Sequence, residues 1–435
     1  MLQNIYHHYI QPIRTFNRDA RLFLWVTVID GFIMSGWQLF FNIYMLQSGY
    51  SREFLGLINS LPSLMGLLLG IFIGIISDRI GRKTALFIGI AFTGLSMLGQ
   101  VAFRQPVIIA SMAALTGIFN MAAIVSLSPL MMKLSDEHNR TLLFSLTFGM
   151  QTIAGAAGSL FAGQLPALFG FVFHVNATSA LAYRAVLMAN ILLGTTSLIP
   201  LWIMKEPQTP QTTPQPGSRQ TGLSPSLTRL IVKLALPTFL IELGAPILIP
   251  YMNVFFKDRF QISDSLLGVL FSLASLFIGI GSILGPRLTI QLGGKIRTVA
   301  FTQLASVVLL LLIGFSGSLW IAGFSALIRA ALMNMSSPLY SAFCMEQTPE
   351  RQRGFVSSVI NVASQIGWSV GPYISGVVQE RYGFSPLFIT TSILYLMSIG
   401  TMWFFFSKTE HLKSSVLEDE VQIGTAIVKR PTSWI

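Results

Sequence analysis

Long apolar runs decide what this chain can become. Twelve stretches of mostly apolar residues follow one another, at roughly 22–46, 54–77, 84–103, 106–132, 142–169, 182–204, 233–256, 265–286, 298–315, 318–345, 354–379 and 384–407. A helix rises 1.5 Å per residue, so about 20 apolar residues cross the hydrocarbon core of a bilayer. Barrel strands would be shorter and would alternate in polarity, so each run is read as a helix. Composition agrees, since only 10% of residues are charged and mean hydropathy is +0.66. Soluble domains carry roughly a quarter charged residues, and a polar shell for 435 residues cannot be assembled from so few. The expectation is an all-α, multi-pass integral membrane protein, with the lipid bilayer as its constant partner.

Several other classes fall away. A single cysteine, Cys344, excludes an internal disulfide and a cysteine-built metal cluster. His7, His8, His138, His174 and His411 lack the spacing of a metal site, and no metal or other cofactor is expected. The first twenty residues carry Arg14, Arg18 and Asp19 and no short apolar core before a small-residue cut site, so no cleavable signal is expected.

Lysine and arginine set the sidedness. With residues 1–21 in the cytoplasm, twenty-one of them fall on the inner side. Six fall outside (Arg52, Arg104, Arg184, Lys257, Arg259, Arg381), and Arg329 lies within a span. This positive-inside bias places both termini in the cytoplasm of a plasma-membrane protein. The net charge of +11 is thereby collected at a membrane face, so nucleic acid is not an expected partner.

The chain divides in two. Residues 205–232 include KEPQTPQTTPQPGSRQTGLSPSL, with five prolines and almost nothing apolar, and are read as a flexible cytoplasmic linker. It separates a six-helix bundle at 22–204 from a second at 233–407, with 408–435 as a cytoplasmic tail. LGLINSLPSL (55–64) and LGVLFSLASL (267–276) agree at six of ten positions at an offset of 212. NRTLLFSLTFGMQTIAGAAG (139–158) parallels QRGFVSSVINVASQIGWSVG (352–371) at an offset of 213. Two six-helix halves in parallel repeat are a known transporter architecture.

Between the second and third spans stands GIISDRIGRK, Gly74 to Lys83. Its pattern Gly74-x-x-x-Asp78-Arg79-x-Gly81-Arg82-Lys83 resembles the signature turn of the major facilitator superfamily, and the resemblance in span number, linker and repeat runs from about residue 20 to 408. Gly81 suits a tight reversal and Gly74 close helix approach, while Arg79, Arg82 and Lys83 fix the side of the membrane. The resemblance implies the fold of two six-helix bundles, a pathway lined by spans 1, 4, 7 and 10, and alternating access. It also implies that Asp78 meets the cytoplasmic end of span 11 across the two halves, a latch that forms when the inner side closes. The matching stretch GPRLTIQLGGK (285–295) keeps Gly293 and Lys295 but has no acid, so a second latch needs one from another segment. Drug-exchanging members often carry Arg in span 4 and a Gly-Pro motif in span 5. Here span 4 is uncharged and span 5 has Ser159 where proline would stand, which argues against that subgroup.

Three ionisable residues lie deep in spans: Asp30, Glu242 and Arg329. Each costs at least about 2.5–3.5 kcal/mol if isolated, so each should face a cavity or a partner. Asp30 and Glu242 differ by 212 and occupy the same place in the two halves. These three are the proton-coupling candidates. Glu242 and Arg329 share a half and are expected to pair, leaving Asp30 to carry the proton, because desolvation stabilises the protonated carboxyl. The bland alternative is that Asp30 caps or bonds a neighbouring helix. Trp37, Gln38, Asn42, Asn120, Gln151, Tyr251, Asn253, Asn334, Asn361, Gln365 and Trp368 are candidates for the substrate pathway, although most intramembrane amides serve helix contacts.

The function expected is transport of a small organic solute by alternating access, with protons as co-partners and a monomer as the working unit. Export of an amphipathic compound against protons leads, since an acidic, aromatic and otherwise apolar pathway suits a cation or a neutral amphiphile. Proton-coupled uptake or facilitated diffusion follows. A membrane-embedded enzyme is disfavoured, as H-E-x-x-H, G-x-S-x-G and P-loop patterns are lacking.

Overall fold

The computed structural model describes residues 16–136, 139–205 and 225–428. Most of the linker, most of the N-terminal segment and the last seven residues of the tail therefore lie outside the described residues.

Twelve helical spans succeed one another with alternating direction. The first half holds α1 (Arg18–Gln47), α2 (Arg52–Ile80), α3 (Arg82–Ala102), α4 (Pro106–Leu134), α5 (Arg140–Ala162) and α6 (Ala180–Gly194). The second holds α7 (Pro225–Leu248), α8 (Asp264–Gln291), α9 (Lys295–Phe315), α10 (Leu319–Gln347), α11 (Arg353–Tyr382) and α12 (Ser385–Val428). Three spans are interrupted where unbroken runs were expected. Leu165–Val172 continues α5, Leu198–Ile203 continues α6 and Met252–Phe260 continues α7. In α7 the break has a clear cause: Pro246 and Pro250 cannot donate to the helix ladder, and Ile249–Tyr251 tightens into a 3-10 turn. Helix α12 runs on to Val428, through most of the segment expected to be a tail.

Among the described residues, eleven spans are long and apolar enough to cross a membrane. The exception, α11, has the length at 30 residues but is rich in Ser, Gly, Asn and Gln. It packs between α2 and α7, where small and polar residues meet other helices instead of lipid. The lipid-facing surface lies elsewhere: Ile71, Phe72, Ile283, Ile290, Trp320 and Phe404 are 64–83% exposed.

The repeat is visible in local chemistry. Ser51 and Ser263, 212 apart, cap α2 and α8 by accepting from Phe54 N and Leu266 N. Gly81 and Gly293, again 212 apart, turn the chain at φ +92° and +70°. Packing repeats too: α1 lies on α5 and α6 as α7 lies on α11 and α12, and α2 and α3 lie on α4 as α8 and α9 lie on α10. Between the halves, α2 packs on α11 and α5 on α8.

The buried side chains show how the halves meet. One core joins both halves at the end away from the linker, with Leu39, Phe40, Leu55, Tyr183, Tyr251, Phe255 and Leu267. Towards the linker end each half keeps its own core, Phe23, Leu130 and Leu134 in the first, Leu234, Ile296 and Phe343 in the second. Glycines report the same wedge. A Cβ on Gly56 would sit 2.6 Å from Pro372 O, and one on Gly376 2.3 Å from Arg52 O, at the far end of the α2–α11 seam. At its linker end, Gly74 and Gly354 face open space.

Candidate functional site

A cavity of about 820 Å³ occupies the wedge. It begins beneath the far-end core, at Asn42, Asn59 and Pro250, and runs towards the linker end past Asn334, Ser341 and Asn361. A second cavity of about 290 Å³ lies within the first half, among Asp30, Asn120, Gln151, Thr147 and Asn190. Trp37, stacked on Phe41 at 4.2 Å between ring centres, lines both.

The structure separates the three intramembrane charges. Asp30 accepts a hydrogen bond from Gln151 Nε2 at 3.2 Å, so two candidates meet across the α1–α5 contact. Glu242 accepts from the Trp368 indole N–H at 2.8 Å, the matching contact between α7 and α11. The expected Glu242–Arg329 ion pair is not formed. Helix α7 packs on α11 and α12, and α10 on α8 and α9, and both side chains line the large cavity. Arg329 reaches α12 instead, where Nη2 donates to the Tyr395 hydroxyl at 3.4 Å and the guanidinium lies 6.0 Å from the ring centre. It is only 8% exposed, and its Nε has no partner among the described residues.

The other candidates sort into two groups. Gln38, Asn334, Asn361 and Trp368 line the large cavity, and Asn120 lines the smaller one. Asn42 is 6% exposed and its Nδ2 donates to Pro250 O at 2.6 Å across the halves, while its Oδ1 accepts from Asn59. Asn253 and Tyr251 are fully enclosed and serve packing. Asn253 donates to the carbonyls of Gln38 and Leu39, and Tyr251 to that of Pro372. Gln365 lies outside both cavities, with its Nε2 3.2 Å from where a Cβ on Gly66 would stand.

At the signature turn Asp78 pairs with Arg82 one helical turn on, and Lys83 donates to Trp202 O. All four belong to the first half, so the contact between Asp78 and α11 is not made in this open arrangement. In the second half Lys295 pairs with Glu346 of α10, an acid from another segment but of the same half, so this pair is not a latch between the halves.

The far-end seal escaped sequence reasoning. Arg52 binds Asp258 at 2.6 Å and Gln379 at 3.2 Å, and its backbone N–H donates to Glu380. Asp264 binds Lys257 at 2.6 Å and accepts from Tyr183 OH at 3.0 Å. Arg52 and Asp264 are 212 apart, so one repeat position seals the halves twice, with opposite charges. That offset was the available signal. Tyr395, Asn59 and Gln303 were also missed as cavity residues. Each is an ordinary residue in an apolar run, and only packing distinguishes it.

Comparison with known proteins agrees with this architecture. The multidrug resistance protein MdtG of Proteus mirabilis (strain HI4320) is 26% identical over 174 residues, 38% of this chain and 42% of that protein. The protein of the same name from Rahnella sp. (strain Y9602) is 29% identical over 141 residues, 32% of this chain and 33% of that one. The match thus spans less than half the length of these curated relatives. Among solved structures, a bacterial homologue of the human lysosomal transporter Spinster, inward-facing and occupied, superposes with a TM-score of 0.73 at 14% identity, covering 91% of this chain and 97% of that one. The nucleoside transporter NupG superposes with a TM-score of 0.66 at 14% identity, covering 90% and 98%. The model of the Major Facilitator Superfamily matches residues 23–372 and 234–434. With that match over most of its length, the chain belongs to the Major Facilitator Superfamily, a family of transporters and not of enzymes.

Proposed function

We propose that this protein is a proton-coupled exporter of a small amphipathic solute, working by alternating access. The observation that carries this is the wedge: one shared core at the far end, separate cores at the linker end, and a cavity between the halves. Rocking the halves about that cavity would break the Arg52 and Asp264 contacts and bring the linker ends together. The lysine and arginine bias supports placing the linker and both termini on the cytoplasmic side of a bacterial inner membrane. The structure then corresponds to the inward-open state. Asp78, released from α11 here, engages the start of that helix when the inner side closes. In this state no side chain among the described residues caps the start of α11, and a carboxylate there would meet the positive end of the helix.

Asp30 is the proton carrier in this scheme. It stands in the smaller cavity with an amide as its hydrogen-bond partner and with no ion pair among the described residues. A carboxyl that is wetted in one state and dried in another takes up a proton on drying. The relatives named for multidrug resistance support export of an amphiphile, although span 4 and span 5 depart from the drug-exchange pattern.

The test is proton flux and solute counterflow in proteoliposomes, with wild type and Asp30→Asn. The variant mimics the protonated form, so it should lose pH-driven transport and keep binding and exchange. Normal uphill transport by Asp30→Asn would assign Asp30 to the α1–α5 packing alone. Solute accumulation with the proton gradient instead of against it would identify uptake.

A further inference from the structure

The large cavity holds two opposite charges that do not neutralise each other. Arg329 and Glu242 both line it, no ion pair joins them, and both lie within electrostatic reach of the Tyr395 phenol. Each is held on its own wall by a neutral group, Arg329 by Tyr395 and Glu242 by Trp368. Burying the Arg329 guanidinium without a carboxylate partner is costly, and direct pairing would offset part of that cost. Arg329 also keeps a buried Nε without an acceptor among the described residues, as Arg140 and Arg184 do, but of these three it alone lines the large cavity. Guanidinium is a donor only, so the missing partner is an acceptor, and an anion satisfies it best. On the other wall, a carboxylate beside the Trp368 indole, with Trp37 also in the lining, is a setting for an organic cation.

We infer that the central cavity binds a zwitterionic amphiphile, its anionic group on Arg329 and Tyr395 and its cationic group on Glu242 and Trp368. This rests on the transporter assignment and narrows the substrate from the cation or neutral amphiphile that the sequence suggested. Asp30, in the other cavity, remains free for the proton. The lining also includes the apolar Ile241, Leu270, Phe271 and Ile278, which suit a hydrocarbon tail.

The experiment uses the full chain in nanodiscs, with empty nanodiscs subtracted, and equilibrium titration of four probes sharing an octyl tail. These are an alkyl sulfobetaine, an alkyl sulfate, an alkyl trimethylammonium and an alkyl glucoside. The sulfobetaine should bind tightest. Arg329→Gln should weaken the sulfobetaine and the sulfate by about tenfold to a hundredfold and spare the trimethylammonium, since hydrogen bonds to charged groups carry that much. Glu242→Gln should weaken the sulfobetaine and the trimethylammonium and spare the sulfate. Tyr395→Phe, which keeps the ring and the buried volume, should reproduce the Arg329 pattern more weakly and covers the case in which Arg329→Gln fails to fold. Equal binding of the four probes overturns the proposal, as does a uniform effect of Arg329→Gln or of Tyr395→Phe on all of them. Binding requires no gradient, so failure here leaves proton-coupled export standing, and loss of pH-driven flux leaves this site standing.

Discussion

Removing one oxygen from the far-end seal should tilt the whole transporter. The Tyr183 hydroxyl, on α6 of the first half, donates to both carboxylate oxygens of Asp264, on α8 of the second, at 3.0 and 3.1 Å. Tyr183 is fully buried and Asp264 is 8% exposed, so water does not compete. Asp264 and Lys257 belong to the same half, and their ion pair survives when the far end opens. The Tyr183 bond does not, because its partners separate. Tyr183→Phe therefore penalises only the far-end-closed state, and the ring packing against Phe40 at 5.4 Å is kept. A hydrogen bond to a charged acceptor contributes about 1.5–3 kcal/mol, a shift of roughly ten- to over a hundredfold in the conformational equilibrium. Adding Arg52→Gln removes the ion pair to Asp258, whose members are 27% and 43% exposed, and contributes up to about 1 kcal/mol more after solvent screening. Spin labels at Gln105 and Tyr382, exposed far-end sites in opposite halves, would read the equilibrium by pulsed electron resonance in a Cys344→Ala background. The long-distance population should grow in Tyr183→Phe and grow further in the double variant. If both give the wild-type distance distribution, the seal does not set the conformational balance and the reasoning fails.

Two glycines, one on the α1–α5 contact and one on the α7–α11 contact, should respond unequally to the same substitution. A Cβ on Gly367 would lie 1.9 Å from Glu242 O, so Gly367→Ala should cost about 1–3 kcal/mol or more and lower the thermal midpoint, whereas Gly155→Ala, 3.5 Å from Gly31 O, should be neutral or slightly stabilising by scanning fluorimetry. Asp78→Asn should insert normally and leave this open state intact, since Asp78 contacts only its own half here, but should reduce flux and enrich the linker-end-open population. Distances between the linker ends of α2 and α11 check it, and unchanged distances with unchanged flux would make Asp78 a topological residue. Deleting about eight residues within 208–220 should preserve transport, because a flexible coil of the remaining length still joins the halves. Loss of flux in a well-inserted deletion would show that the segment binds or gates.

The sequence by itself determined the spans, the repeat and the signature turn, because each is a local property. Hydropathy over twenty residues reports a span, and a glycine needed at positive φ is needed whatever packs nearby. It also placed Asp30 and Glu242 at one repeat position, and the structure gives each a partner on the corresponding helix, though not at the corresponding position, Gln151 on α5 and Trp368 on α11. Even α11, too polar for a lipid-facing span, was legible by its length and its place between spans. Charge arithmetic went wrong where adjacency mattered. Glu242 and Arg329 are the obvious pair on paper, but α7 packs on α11 and α12 while α10 packs on α8 and α9, and a cation pairs only with what it can reach. Tyr395, 66 residues from Arg329 and on another helix, is what it reaches. The far-end seal was hidden for the same reason. Arg52 and Asp264 sit in short outer turns where charge is ordinary, and only the docking of two bundles brings Asp258 to the one and Tyr183 to the other. Spans follow from a solvent preference that each segment expresses alone. Pairings at the seal and in the cavity follow from how the bundles meet, which no single segment encodes.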